Sequence, residues 1–157
     1  MNIYRRPSDA GACALLNACA LPTSDLESRH FEHFFAIGPF NDPSAIVGLE
    51  LLGACALLRS LAVSLMMRKR GAGAALVRHA ESYAHQTGVR EIYLLTASTE
   101  EFFAKLGYRR VPREAALEPV RETREFSSLC PASATFMRKA IIAPTRPYPP
   151  MSSGVQQ

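Results

Sequence analysis

The chain has 157 residues, a length typical of one domain, and 48% of them are hydrophobic while 20% are charged. This ordinary globular balance predicts a packed core. The net charge of +4 suits an anionic ligand but is too small to indicate nucleic-acid binding by itself.

The first half of the chain is predicted to contain four strands and one main helix. Residues 1–4 form a short edge strand, and Ser8 begins a helix that ends before Pro22. One more helical turn is expected over 23–28. The other strands are predicted over 33–37, 46–52 and 56–64, and the last two form a hairpin that turns at Gly53.

The most apolar stretch, residues 45–67, is interrupted by Glu50 and Arg59. A membrane-spanning helix needs about 20 consecutive apolar residues, so we expect no membrane crossing. Arg5 and Arg6 precede no continuous apolar region, and we expect no secretory signal. The four cysteines lack C-x-x-C spacing, which indicates free thiols in a reducing compartment, the cytoplasm.

The second half of the chain is predicted to alternate helices and strands. A long helix follows Gly73, buries one apolar stripe and ends at Gly88. Ser98 and Glu101 have the spacing of a capping box, which predicts a helix that ends at Gly107. The remaining elements are strands at 91–95, 108–111 and 135–141 and a helical turn at 119–124. This order indicates a mixed α/β sheet with helices on both faces.

The domain is expected to cover residues 1–143. The segment 144–157 contains four prolines and a Ser-Ser-Gly sequence. Such a segment buries too little apolar surface to offset the entropy lost on ordering, so we expect a flexible tail.

A basic, glycine-containing segment lies between a predicted strand and the long helix, with the sequence RKRGAGA at 68–74. The first N–H groups of a helix have no partner within it and attract anions, while glycine lets a phosphate approach the backbone. A P-loop and a dinucleotide fingerprint both fail, because Lys-Ser/Thr does not follow Gly73 and Leu76 replaces the third glycine. An ordinary strand-to-helix turn with a solvated basic run is the alternative.

The remaining pattern, R-x-x-G-x-G, is similar to the acyl-CoA loop of the GNAT superfamily of N-acetyltransferases. The chain resembles this superfamily from residue 1 to about 142, through LLRSLAVSLMMRKRGAGAALV and IYLLTASTEEFFAKLGYRRV. The segments LLRSLAV, YLLT and EFSSLCPASATFMRKAI further resemble its arsenic-resistance branch. Relatives in that branch acetylate the amine of arsinothricin, an arsenic analogue of glutamate. The resemblance implies a mostly antiparallel sheet with a splayed central strand pair.

The resemblance also implies direct transfer of an acetyl group from acetyl-CoA to the amine of a small anionic acceptor. Amides beside the pantetheine would stabilise the oxyanion as it forms. We expect a monomer or homodimer that binds neither membranes nor nucleic acid. The residues implied for acetyl-CoA are Leu61, Ala62 and Val63 beside the pantetheine and Arg68, Lys69, Arg70, Gly71, Ala72, Gly73 and Ala74 at the pyrophosphate.

Arg59 and Glu50 are the candidate catalytic side chains of the central strands. Arginine is too basic to accept a proton, but its planar fork suits an acidic acceptor group. An ion pair with Glu50 across the hairpin is equally open, and both roles can hold together. Glu50 is either the base that takes a proton from the ammonium or a structural partner, because an unpaired carboxylate in an apolar strand is costly.

The tyrosine that protonates the departing thiolate in many family members is replaced by Phe103. Tyr108 is expected to lie in the core. A thiol with a pKa near about 8.5 leaves as thiolate with little help, so Phe103 does not exclude catalysis but leaves the identity of the general acid open. Ser60 or water are weak substitutes for it.

Ser127, Ser128 and Cys130 precede the last strand, in a region that closes over the acceptor in this superfamily. They are candidates for binding an oxyanion, and a structural loop with Cys130 buried is the alternative. The histidines offer no third ligand, which predicts no metal site. A non-catalytic acyl-CoA sensor is a second hypothesis, and a nucleic-acid binder a third that lacks aromatic residues in the basic run.

Overall fold

The computed structural model describes residues 1–129 and 133–141, so the predicted tail and Cys130 lie outside the described residues. One seven-stranded sheet runs through it. Its strands are β1 (Ile3–Arg5), β2 (Phe34–Ile37), β3 (Ala45–Leu52), β4 (Cys55–Val63), β5 (Glu91–Thr96), β6 (Arg109–Arg110) and β7 (Thr135–Ala140). They are ordered β1-β2-β3-β4-β5-β7-β6, and every neighbouring pair is antiparallel except β4 and β5. The predicted mixed sheet is confirmed.

Helices cover both faces of this sheet, as predicted. They are α1 (Asp9–Ala18), α2 (Ala72–Gln86), α3 (Glu100–Lys105) and α4 (Glu118–Arg121). Phe35 and other residues of one face pack against α2, while the alternate residue Phe34 packs against α1 on the other face. Val120 of α4 covers that second face near Leu57. The period of two along each strand therefore separates two packed layers.

Two of the predicted helix ends are confirmed in detail. The hydroxyl of Ser8 accepts a hydrogen bond from the N–H of Gly11 at 2.9 Å and caps α1. Gly88 has a φ of 96°, and the N–H of Val89 donates to the carbonyl of Ala84 at 3.0 Å. This Schellman arrangement ends α2.

The capping box predicted from Ser98 and Glu101 is wrong. The N-cap of α3 is Thr99, and no side chain caps it. Instead, the hydroxyl of Thr96 accepts a hydrogen bond from the N–H of Thr99 at 3.0 Å. A hydroxyl at the end of β5 thus stabilises the turn before α3, and the N-cap lies at Thr99, one residue after the predicted Ser98.

The other differences are shifts of short elements. The turn predicted over 23–28 is present at 23–26, where the N–H of Leu26 donates to the carbonyl of Thr23 at 3.0 Å, and a separate 3-10 helix follows at Ser28–His33, where His30 accepts a hydrogen bond from the N–H of Glu27 at 2.8 Å. The turn predicted over 119–124 is α4, and the strand predicted over 108–111 is the two-residue β6. Residues 125–129 form a π-helical turn that no sequence pattern indicated.

β4 and β5 pair only at their beginnings, where Cys55–Leu57 lie beside Glu91–Tyr93. Farther along, β4 stays with β3 and β5 stays with β7, so the two strands diverge. The splayed central pair is therefore present, and it opens the sheet between the ends of two neighbouring strands.

A bulge distorts β4 at this opening. Gly48 lies opposite Arg59 and Ile46 lies opposite Ala62, so one residue of β3 faces both Ser60 and Leu61. Ser60 has a φ of 60°, in the left-handed region. A bulge leaves ladder groups unpaired and turns the following side chains, so it changes the backbone at the edge of the opening.

Candidate active site

A cavity of about 350 Å³ occupies the opening between β4 and β5. Residues 58–61 of β4 form one side, and residues 94–99 form the other. Phe103 of α3, residues 20–22 and Glu125 complete the lining together with Ala134. The cavity thus lies between both layers of the fold, with the bulge in its wall.

The segment predicted to bind phosphate follows β4 directly and begins α2. Gly71 is the N-cap of that helix, with a φ of 82°, and the first helical hydrogen bond runs from the N–H of Ala75 to the carbonyl of Gly71 at 3.0 Å. The N–H groups of residues 72–74 have no partner inside the helix. The side chains of Arg68, Lys69 and Arg70 are exposed around this end. The arrangement provides free donors, the positive end of the helix dipole and exposed cations.

A larger side chain would meet different constraints at the two glycines of this segment. Gly71 has open space around it, but its φ of 82° lies where other residues are strained. At Gly73, a Cβ would lie 3.3 Å from Cζ of Phe102. Arg68 fixes the segment, because its Nε donates to the carbonyl of Val63 at 3.0 Å.

Arg59 lines the cavity and is 3% exposed. Its guanidinium contacts three carboxylates: Nη1 lies 2.6 Å from Asp25 and 2.8 Å from Glu50, and Nη2 lies 3.3 Å from Glu125. Nη2 also donates to Asp25 at 3.0 Å, which makes that pair bidentate, and Nε donates to Ser60 at 3.1 Å. We call Arg59, Asp25, Glu50 and Glu125 the Arg59 cluster.

The sequence left two roles open for Arg59. The structure shows one of them, the ion pair with Glu50. An arginine has five N–H donors, and those of Arg59 already face Ser60 and the carboxylates of its cluster. A direct contact with an acceptor anion would require one of these partners to be displaced. The sequence could not show this, because Asp25 and Glu125 reach Arg59 only through the tertiary fold.

The pKa values of the Arg59 cluster follow from burial and mutual charge. Burial tends to lower the pKa of Arg59, but Asp25, Glu125 and Glu50 outweigh it and raise that pKa. Burial tends to raise the pKa of Asp25, but its hydrogen bonds with Arg59 hold it below the ordinary value. Burial raises the pKa of Glu125 to about 7, helped by Glu50 and Asp25 and opposed by Arg59.

Phe103 lines the cavity at the place predicted for a proton donor and carries no hydroxyl. Tyr108 is buried, and its hydroxyl donates to Glu81 at 2.9 Å. Burial and the Glu81 charge raise the pKa of Tyr108 far above its usual range. Tyr108 is therefore a core residue, as predicted.

Of the residues predicted near the last strand, Ser127 is described in full, and it is not among the described residues that line the cavity. Ser127 lies in the π-helical turn and is exposed. The side chain of Ser128 and the whole of Cys130 lie outside the described residues. Glu125, two residues before Ser127, is the side chain of this turn that lines the cavity, and sequence reasoning missed it.

Within residues 1–129 and 133–141, no group of three or more His, Cys, Asp or Glu side chains is arranged to hold a metal ion. The described helices include none that is both long and apolar enough to span a bilayer. Cys13, Cys19 and Cys55 are free thiols.

The sequence profile of the acetyltransferase (GNAT) family matches residues 11–108 of the chain. An uncharacterized N-acetyltransferase of Chlorobaculum tepidum is 34% identical over 74 residues, which cover 41% of this chain and 47% of that relative. The matched region thus spans about half the length of this curated relative.

Solved structures share the fold at low identity. One is N-acetylglutamate synthase from Neisseria gonorrhoeae, complexed with coenzyme A and N-acetyl-glutamate. Its superposition has a TM-score of 0.77 at 17% identity and includes 90% of this chain and 35% of the synthase chain. The protein Rv2747 from Mycobacterium tuberculosis, in complex with CoA and NLQ, gives 0.73 at 17% identity, with 90% and 100% coverage. These likenesses show the fold.

Proposed function

Because this chain belongs to the acetyltransferase (GNAT) family, we propose that it is an N-acetyltransferase with acetyl-CoA as its cosubstrate. The observation that carries this proposal is the juxtaposition of two features. The unpaired N–H groups and exposed cations that begin α2 lie immediately beyond β4, and residues 58–61 of β4 border the cavity. One extended ligand with a diphosphate at one end and a thioester at the other fits both.

Each part of the ligand has a proposed partner. The pyrophosphate binds the N–H groups of residues 70–74 and the side chains of Arg68 and Arg70, with Lys69 as a further cation. The pantetheine runs along residues 61–63, whose side toward β5 has no strand partner among the described residues. An amide at the bulge beside Ser60 stabilises the oxyanion. Correct placement of the two reactants can lower the barrier by up to about 7–11 kcal/mol.

The proposed acceptor is a small molecule with an amine, bound in the 350 Å³ cavity. The finer proposal, an anionic arsenical or phosphinic amino acid such as arsinothricin, is supported by the resemblance of the EFSSLC segment at 125–130 to the arsenic-resistance branch. We assign Arg59 a positioning role, because its donors face the carboxylates of its own cluster. Recognition of the acceptor anion then falls to the hydroxyls of Ser98 and Thr99, which line the cavity, and to Ser127, Ser128 and Cys130, which follow the cavity residue Glu125 in the sequence.

A non-catalytic acyl-CoA sensor is the second candidate, and Phe103 is the observation that favours it. A sensor keeps the phosphate-binding segment but needs no group that protonates a thiolate. We propose a monomer or homodimer acting in the cytoplasm, a placement supported by the free thiols of Cys13, Cys19 and Cys55.

The release of free thiol from acetyl-CoA tests these candidates. The panel of acceptors contains arsinothricin, phosphinothricin, glutamate, and the matching amines without an acidic group. We expect thiol release with at least one amine, and faster release with the anionic amino acids. Tight binding of CoA without thiol release from any amine would favour the sensor.

A further inference from the structure

Glu125 is a buried carboxylate that the proposed function does not yet use. It is 5% exposed and lines the cavity from the face opposite α2. Its backbone is held in place, because the N–H of Phe126 donates to the hydroxyl of Thr123 at 3.3 Å and the Phe126 ring packs on Phe136 with centroids 5.3 Å apart. A fixed carboxylate at a cavity wall can exchange a proton with whatever fills the cavity.

The charged groups that face Glu125 are Arg59 from β4, Glu50 from β3 and Asp25 from the loop that follows α1. Arg59 holds Asp25 bidentately and Glu50 at 2.8 Å, so two carboxylates already exceed its single positive charge. Glu125 is the third carboxylate at this guanidinium, at 3.3 Å. Burial and the two other carboxylates raise the pKa of Glu125 to about 7, so it can both gain and lose a proton near neutral pH.

Glu50, the base candidate from the sequence, is placed differently. Its carboxylate contacts Arg59, and Glu50 is not among the described residues that line the cavity. Glu125 contacts the same guanidinium from the cavity side. A proton on the acceptor can therefore reach Glu125 more directly than Glu50.

We propose that Glu125 is the catalytic base that takes a proton from the ammonium group of the acceptor, held in position by Arg59. The inference rests on the proposed acetyltransferase function. An N–H bond of the ammonium breaks and an O–H bond forms on Glu125, which leaves a neutral amine. The nitrogen then bonds to the thioester carbonyl carbon, the C–S bond breaks, and CoA leaves as thiolate. The second proton of the nitrogen passes to that thiolate, and Glu125 returns its proton to solvent.

The test is the pH profile of kcat/KM for thiol release, measured on the full chain, with Glu125→Gln, Glu125→Asp and Glu50→Gln compared with the wild type. The wild type is expected to lose activity tenfold per pH unit below about pH 7, where Glu125 becomes protonated. Glu125→Gln is expected to lose about 100-fold or more at pH 7 and to recover at high pH, where the free amine is already neutral. Glu125→Asp is expected to keep the loss of activity below pH 7, which we call the acid limb, with a lower kcat/KM than the wild type.

Glu50→Gln is the matched variant, because it removes another carboxylate from the same guanidinium. Since the Glu50 charge helps to raise the pKa of Glu125, its loss is expected to move the acid limb to lower pH. CoA affinity and melting temperature are measured for every variant, and we expect the CoA affinity of Glu125→Gln to equal that of the wild type.

The proposal fails, while the proposed function stands, if Glu125→Gln keeps the wild-type kcat/KM and the wild-type loss of activity at acid pH. If Glu50→Gln in addition loses this pH dependence, Glu50 is the base and not Glu125. If the wild type binds CoA but releases no thiol with any amine, the proposed function fails and this inference fails with it. The two kinds of failure are distinguishable, because the first requires a wild type that turns over. If Glu125→Gln does not fold, the profile of Glu125→Asp decides, and the absence of an acid limb in it overturns the proposal.

Discussion

At the scale of single residues, Arg59 is the one cation of a buried group of carboxylates. Its guanidinium is the shared partner of Asp25, Glu50 and Glu125, and the Arg59 side chain is 1% exposed. Removing the single cation of this group leaves its buried carboxylates charged and without compensation, which is far more costly than losing an exposed pair. Arg59 therefore supports the fold as well as the shape of the cavity.

Arg59→Met is expected to lower the free energy of unfolding by about 3–5 kcal/mol, because three carboxylates lose their cation. Urea denaturation at pH 7 measures this loss. Arg68→Met is the control, since Arg68 is exposed and donates to one backbone carbonyl, and we expect it to change stability by less than about 1 kcal/mol. Equal stability of Arg59→Met and wild type would show that the cluster is not formed.

Single residues also mark what the sequence could and could not predict of the site. The segment 68–74 was predictable, because strand, cations, glycines and helix are consecutive in the chain. Glu125 was not, because it owes its place to a π-helical turn with no sequence pattern. The bidentate partner of Arg59, Asp25, lies 34 residues earlier in a loop. No local periodicity connects these positions.

At the scale of elements, the sheet was predictable where periodicity and turn residues agree. The hairpin of β3 and β4 turns at Gly53, which has a φ of 84°, and α2 ends at Gly88 as expected. The cap of α3 was mispredicted because a side chain outside the predicted pair bonds the backbone of the turn. The hydroxyl of Thr96, two residues before Ser98, bonds the N–H of Thr99, and α3 has its N-cap at Thr99 and not at Ser98.

The pairing of β2 and β3 depends on a close contact that Gly48 makes possible. A Cβ at Gly48 would lie 2.4 Å from Cε1 of Phe34, the residue opposite it. Gly48→Ala is expected to destabilise the fold by about 1–3 kcal/mol, because the buried ring must leave its rotamer or the strands must separate. Thermal or urea denaturation measures the loss.

The matched control for this contact is a double-mutant cycle with Phe34→Leu. The smaller side chain removes the overlap, so the double variant is expected to be more stable than the sum of the single losses predicts. Strict additivity of the two losses would show that the Phe34 ring does not limit the residue at position 48.

At the scale of the whole molecule, the Arg59 cluster joins the parts of one layer. It lies between the cluster of α1, which includes Leu16, and the cluster of α4, which includes Val120. Asp25 comes from the loop after α1 and Glu125 from the turn after α4. The ionic group therefore connects two apolar clusters across β4, and protonation within it affects the stability of the domain.

The direction of this pH effect follows from the two shifted carboxyls. Asp25 has a lowered pKa, so its stabilisation is present above the ordinary carboxyl pKa and is lost as pH falls through its folded value. Glu125 has a pKa raised from 4.5 to about 7, so stability falls as pH rises across that interval. At about 1.4 kcal/mol per pKa unit, the second effect amounts to about 3–4 kcal/mol at most.

Glu125→Gln is expected to be more stable than the wild type above pH 7 and to lose this advantage as pH falls toward 4.5. Urea midpoints at several pH values measure the difference. Asp25→Asn, the matched control, is expected to be less stable than the wild type at pH 7 and to approach it at acid pH. A Glu125→Gln advantage that grows toward low pH would contradict the raised pKa.

The proposed acetyl transfer depends on one property of the molecule, the capture of a diphosphate by the beginning of α2. Calorimetric titration of the folded wild type with coenzyme A tests it most directly. Gly73→Glu places a carboxylate among the N–H donors, and Ser82→Glu adds the same charge to an exposed position farther along α2. We predict one CoA bound per chain, a loss of affinity of at least about tenfold in Gly73→Glu, and no change in Ser82→Glu. Folded wild type that takes up no coenzyme A, or equal affinity in Gly73→Glu, would contradict the account.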